Sequence, residues 1–245
     1  MPINIHTNTR LIRRNSLIGK YGLIGGMVIL GLGVYVLIKR PEEVTLQFGV
    51  LIVGFMVSQI GIHFSNRWVR RPRPDEVLNT ALKGLSDNYY LYHYQTPASH
   101  LLTGPAGIWV LLPLNKKGTI VYEKGRWQQK GGGFGLLYGK LFAQEGLGRP
   151  DIILETEIGA LKDRLCKSLP HLELPPIQAA LIFTSEAAVL QADDAPVPTL
   201  RPELLKKLIR KQAKETRLSQ EKVEAIHKAF TTKLTRKEIH GEKQS

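Results

Sequence analysis

Two long uncharged apolar runs constrain the fold of this 245-residue chain more than any other feature. Tyr21 to Ile38 is eighteen residues without a charge, and Val44 to Ile62 is nineteen. As helices rising ~1.5 Å per residue, each reaches about 27–28 Å, close to the ~30 Å hydrocarbon core of a bilayer. Only Lys39-Arg40-Pro41-Glu42-Glu43 separates them, and Pro41 cannot continue a helix. The pattern predicts a transmembrane helical hairpin over 21–66, with spans 21–38 and 44–62, after a basic N-terminal segment over 1–20. A second span follows at once and no small-residue cleavage site ends the first, which separates the pattern from a signal peptide.

The flanks orient the hairpin. Arg10, Arg13, Arg14 and Lys20 precede the first span, and Arg67, Arg70, Arg71 and Arg73 follow the second. The tight loop offsets two basic residues with two acidic ones. The positive-inside rule then places both termini, and everything after Arg67, in the cytoplasm of a two-span cell-membrane protein. Within the spans Gln47, Ser58 and Gln59 are polar but none is ionisable, so the usual marker of an ion path is missing. Gly22 and Gly26, like Gly54 and Ser58, lie four apart and present small faces for close packing. The hairpin is an anchor, and the lipid bilayer is its first partner.

The net charge of +13 is uneven. From Arg201 onward thirteen Lys or Arg face six Glu, a surplus that suits nucleic-acid phosphates or anionic lipid. Arg70, Arg71 and Arg73 in the linker, with Lys206, Lys207, Arg210 and Lys211 in the tail, are the candidate anion-binding residues. The single cysteine, Cys166, excludes an intrachain disulfide, and no His/Cys cluster has zinc spacing.

After the basic linker over 67–74, helical spacing over Asp75–Leu85 gives way to strand patterns at Tyr89–Gln95, Ser99–Thr103, Ile108–Leu114 and Thr119–Tyr122. Gly104-Pro-Ala-Gly107 makes a tight hairpin, and Ile108–Leu114 is apolar throughout, as a strand covered on both faces is. The glycine-rich run 131–135 lacks the Gly-Lys-Ser/Thr ending of a phosphate loop and is expected to be a flexible insertion. A helix over 152–169 and apolar strands at 177–183 and 187–191 complete one mixed α/β domain over 75–200. Two helices follow in a basic region over 201–245. Pro202 suits the first turn of one, Ser219 caps the other, and the last ten residues are expected to fray.

The run from about Asp75 to Leu208 resembles the nuclease-related NERD domain of bacterial proteins, a relative of the restriction-endonuclease-like fold. Glu76 stands where the family has an early Glu. Ser99-His-Leu-Leu-Thr-Gly-Pro-Ala-Gly107 is similar to its Asp-His strand and Gly-Pro-x-Gly turn. Ile108 to Asn115 sits where its apolar strand ends in Glu-x-Lys, and Gly118-Thr-Ile leading to Gly125-Arg-Trp127 is similar to the strand that follows. The resemblance implies a Mg²⁺-dependent nuclease ancestry, with Asp and Glu as metal ligands and Lys stabilising charge. By position these map to Ser99, Leu112 and Leu114.

Leucine binds no metal. From Asn88 to Tyr122 the chain holds no Asp or Glu for thirty-five residues, so no shift of register restores the site. Carboxylates elsewhere, at Asp151, Glu155, Glu157 and Glu123, are the candidates for a relocated site, and their context fits one poorly. The expectation is a cytoplasmic binding or scaffolding module with no catalytic residue, no metal and no cofactor, in which Leu112 and Leu114 fill the old cleft with His100 nearby. The competing readings are a divergent metal-dependent nuclease at the membrane and a nucleic-acid or anionic-lipid binding protein.

Overall fold

The computed structural model describes residues 3–130 and 146–241, with side chains described as far as Thr231. The glycine-rich run 131–135 lies outside the described residues. The chain divides into two compact units, one built from the segments before Thr9 and after Arg73, the other from Thr9–Arg73.

The second unit is a helical hairpin of α1 (Thr9–Lys39) and α2 (Val44–Trp68). Both helices contain the expected spans and extend beyond them at the basic ends. They meet along the small residues: a Cβ on Gly22 would lie 3.1 Å from Gly61 Cα, and one on Gly26 would collide with Ser58. Gly19, Gly33, Gly54 and Gly61 line the same seam. Gln47 is buried because its side-chain amide donates to the Arg40 carbonyl at 2.8 Å, and Arg40 pairs with Glu43 at 3.0 Å across the loop. Many apolar side chains of the spans stay outward; Tyr21, Met27 and Phe48 are each more than 60% exposed. Such exposure is wrong for the core helices of a water-soluble protein.

The first unit opens with β1 (Asn4–Thr7), where only a basic segment was expected. It continues through α3 (Pro74–Ala81), β2 (Tyr90–His93), β3 (His100–Gly104), β4 (Gly107–Leu114), β5 (Gly118–Glu123) and β6 (Arg126–Lys130). Then come α4 (Pro150–Ser168), β7 (Ile177–Phe183), β8 (Ala188–Gln191), β9 (Thr199–Leu200), α5 (Pro202–Glu215) and α6 (Gln220–Gly241). The main sheet has the order β1-β2-β3-β4-β7-β9, and a smaller one has the order β6-β5-β8. β2, β3 and β4 form an antiparallel meander, while β1, β7 and β9 pair parallel to their neighbours. The fold is therefore mixed α/β.

Alternation along the strands builds two cores. On one face Tyr92, Leu101, Val110, Leu112 and Leu181 pack with Leu154, Leu161 and Leu165 of α4 and Ile226 and Phe230 of α6. On the other, Leu91, Leu102, Trp109, Leu111 and Ile182 pack with Leu78 of α3 and Leu205 and Ile209 of α5. β4 is central and covered twice, which is why Ile108 to Leu112 shows no alternation.

The C-terminal helices thus belong to the α/β unit rather than to a separate basic region. Ser219 accepts the Lys222 amide at the start of α6, as its capping position predicts, and Val223 is fully buried one turn in. Leu205 and Ile209 form the buried face of α5, whereas Leu204 is 53% exposed. The helix runs on to Gly241 where fraying was expected.

Candidate functional site

The β3–β4 pairing sets Leu101 opposite Val110, and continuing that register two residues sets Ser99 opposite Leu112. Ser99, Leu112 and Leu114 therefore share the α4 face of the sheet. Leu112 is 8% exposed within the apolar core, and Leu114 packs against that core half-buried. Their strand partners on β7 are Leu181 and Phe183. Both leucines therefore pack with the apolar core on this face. The expectation of His100 beside them fails, because one residue along a strand turns a side chain to the opposite face.

One carboxylate does reach this place. Ser99 Oγ donates to Glu157 Oε1 of α4 at 2.6 Å. Its companions do not follow. Asp151 pairs with Arg149 at 2.7 Å at the start of α4, a contact that holds its carboxyl below the ordinary carboxylate range, and Glu155 is exposed. Glu123 pairs with Lys130 at 2.8 Å in the small sheet. Glu76 belongs to α3, which packs on the opposite face from Ser99, and its carbonyl accepts the Thr80 hydroxyl at 3.0 Å. Among the described residues no group of three or more His, Cys, Asp or Glu side chains is placed to hold a metal ion.

The α3 face holds a polar constellation that sequence reading missed. His93 and His100 are buried cross-strand partners whose Nδ1 atoms lie 2.7 Å apart, and His93 Nε2 lies 2.9 Å from Asn79 Oδ1. The amide oxygen only accepts, so His93 carries its proton on Nε2. Its Nδ1 must then accept from Nδ1–H of His100. Burial pushes the His93 pKa down to about 4, opposed by the nearby Asp75, which is itself buried. The pair was legible in principle: two histidines seven residues apart across the Pro97 turn fall opposite each other in a tight hairpin.

A third cluster joins distant segments on the α4 face. His6 of β1 stacks on Tyr92 at 5.2 Å, and Tyr90 stacks on His227 of α6 at 4.0 Å. The Tyr92 hydroxyl lies 2.6 Å from His227 Nδ1. Burial lowers the pKa of both histidines and raises that of Tyr92.

Comparison with known proteins adds no identity. No family model, curated protein or solved structure matches the chain. Function therefore rests on the geometry alone.

The candidate anion-binding residues fall into both units. Lys206 Nζ donates to the Lys83 carbonyl at 3.1 Å and Arg210 to the Gly84 carbonyl at 2.9 Å, so these two cations tie α5 to the segment after α3. Lys211 pairs with Glu215 at 3.6 Å, and Lys207 is exposed. In the hairpin unit Arg70 and Arg71 are exposed and Arg73 is half-buried. The tail thus offers fewer cations to a phosphate than its composition implies. The face around Ser99 offers a serine–carboxylate pair against a leucine wall, which packs well and has little to polarise a phosphate.

Proposed function

We propose that the chain is a membrane-anchored, catalytically inactive relative of the nuclease-related domains, serving as a cytoplasmic binding or scaffolding module. The observation that carries this reading is the placement of Leu112 and Leu114 in the apolar core on the same face as Ser99. Burying a leucine contributes roughly 1.5–3 kcal/mol, so these positions stabilise the fold where a nuclease holds its ligands. The divergent-nuclease reading loses support from the scatter of Glu76, Glu123, Asp151 and Glu155 away from Glu157.

The anchor reading draws on β1. The strand before the hairpin pairs in one sheet with strands after it, which supports a reading with both ends of the hairpin on one side of a bilayer. Two crossings satisfy that condition and one does not. Loss of α1 as a signal sequence would also remove β1 from the sheet. The two helices have mean hydropathies of 2.1 and 1.8 over their most apolar stretches. Their eight basic flanking residues, against a charge-balanced loop, favour the cytoplasm for the α/β unit.

The test is a nicking assay with purified full-length protein, supercoiled DNA and Mg²⁺ or Mn²⁺. The expected result is no nicking beyond that of a Glu157→Gln variant. Nicking abolished by Glu157→Gln, or by neutralising Glu76 or Glu123, would favour the enzyme.

A further inference from the structure

We propose that the basic end of the hairpin is a binding surface for anionic phospholipid headgroups, centred on Arg10, Arg13 and Arg14 of α1. This rests on the reading that the hairpin spans a bilayer. The three arginines stand at i, i+3 and i+4 and are all exposed, so they form one patch of the helix surface. The patch continues along the same helical face into Leu17, Tyr21, Ile24 and Val28, which are 44%, 64%, 51% and 58% exposed. Apart from the exposed Lys20 at its edge, the stripe runs from cations to apolar side chains in the order of a phospholipid, head and then acyl chain. No acidic residue occurs anywhere in α1, so the helix offers these guanidinium groups no carboxylate of its own.

The close antiparallel packing of the helices adds to the patch. Gly19 sits against the backbone of Phe64 and Ser65, and Gly22 against Gly61, which brings the exposed Arg67 and Arg70 of the second helix and its continuation to the same end. The opposite end differs in kind. There Arg40 pairs with Glu43, and Lys39 is balanced by Glu42 in the same loop. Guanidinium groups at the membrane surface attract anionic lipid, and their planar fork grips a phosphate through paired hydrogen bonds. A nucleic acid would match the cations but not the apolar continuation of the stripe. The bilayer lipid matches both.

The test uses the full chain reconstituted in phosphatidylcholine vesicles containing a minor fraction of phosphatidylglycerol. Spin-labelled versions of each lipid report their relative association with the protein. The expected result is at least about a threefold preference for phosphatidylglycerol, falling towards none in Arg10→Gln/Arg13→Gln/Arg14→Gln and unchanged in Lys39→Gln/Arg40→Gln. In the unsubstituted protein the preference should shrink as salt rises, a readout that does not depend on any variant folding. An unaltered preference in the triple variant, a salt-independent preference, or displacement of the lipid by a soluble oligonucleotide would overturn the proposal. Resistance to alkaline extraction is measured on the same vesicles. Loss of the unsubstituted protein to the supernatant would instead overturn the spanning reading.

Discussion

At His93, burial and protonation oppose each other most strongly. Its folded pKa is lowered from 6.5 to about 4, so between those values the unfolded chain binds a proton that the folded one does not. Stability is therefore complete above about pH 6.5 and falls as pH drops towards 4. That gap corresponds to a loss on the order of 3 kcal/mol at about 1.4 kcal/mol per tenfold change in proton affinity. His6 and His227, also lowered by burial, act in the same direction. Denaturant titrations of the full protein in detergent at pH 7 and pH 5 should show the drop, and His93→Gln should flatten most of it. A profile unaffected by the substitution would remove His93 as its source. Residue chemistry was only half legible in the sequence. The absence of acid from Asn88 to Tyr122 is read directly from the sequence, because composition needs no coordinates. The placement of His100 did not follow, because it depends on strand phase, which becomes certain only once the register is known.

Among the elements, the hairpin seam and the first strand carry the sharpest expectations. A side chain on Gly61 would collide with the Leu23 backbone, whereas one on Gly25 would meet nothing within 4 Å. Gly61→Leu should lower the melting temperature of the detergent-solubilised protein and Gly25→Leu should leave it nearly unchanged; equal effects would contradict the seam. β1 was invisible in the sequence because four residues ahead of a long apolar run carry no periodicity. Its strand identity comes from pairing with Tyr90–His93, eighty-six residues away, and from Ile3, buried in the α3-face core. A chain in which a flexible linker replaces residues 9–73 should be more stable in urea than one that begins at Pro74. Equal midpoints would show β1 to be dispensable. The longer elements were legible because their patterns are long: the helices carry apolar stripes over several turns, and Ile177–Phe183 is an unbroken apolar strand. The docking of the basic tail was not, since a hydrophobic stripe states that a helix face is buried and not against what.

For the whole molecule, the discontinuous sheet turns topology into a simple measurement. Cys166 is the single cysteine and is exposed on α4. A membrane-impermeant maleimide should leave it unlabelled in intact cells and label it after permeabilisation. Labelling of intact cells would place the α/β unit outside. The mixed α/β sheet is interrupted after its first strand by two helices long and apolar enough to cross a membrane. The proposal of a catalytically inactive nuclease relative turns on one place, the leucine-lined face around Ser99 and Glu157. Calorimetric titration of the full-length protein with Mn²⁺ addresses it most directly. The account predicts no saturable heat from the native chain. A one-site binding curve that disappears in Glu157→Gln would contradict it.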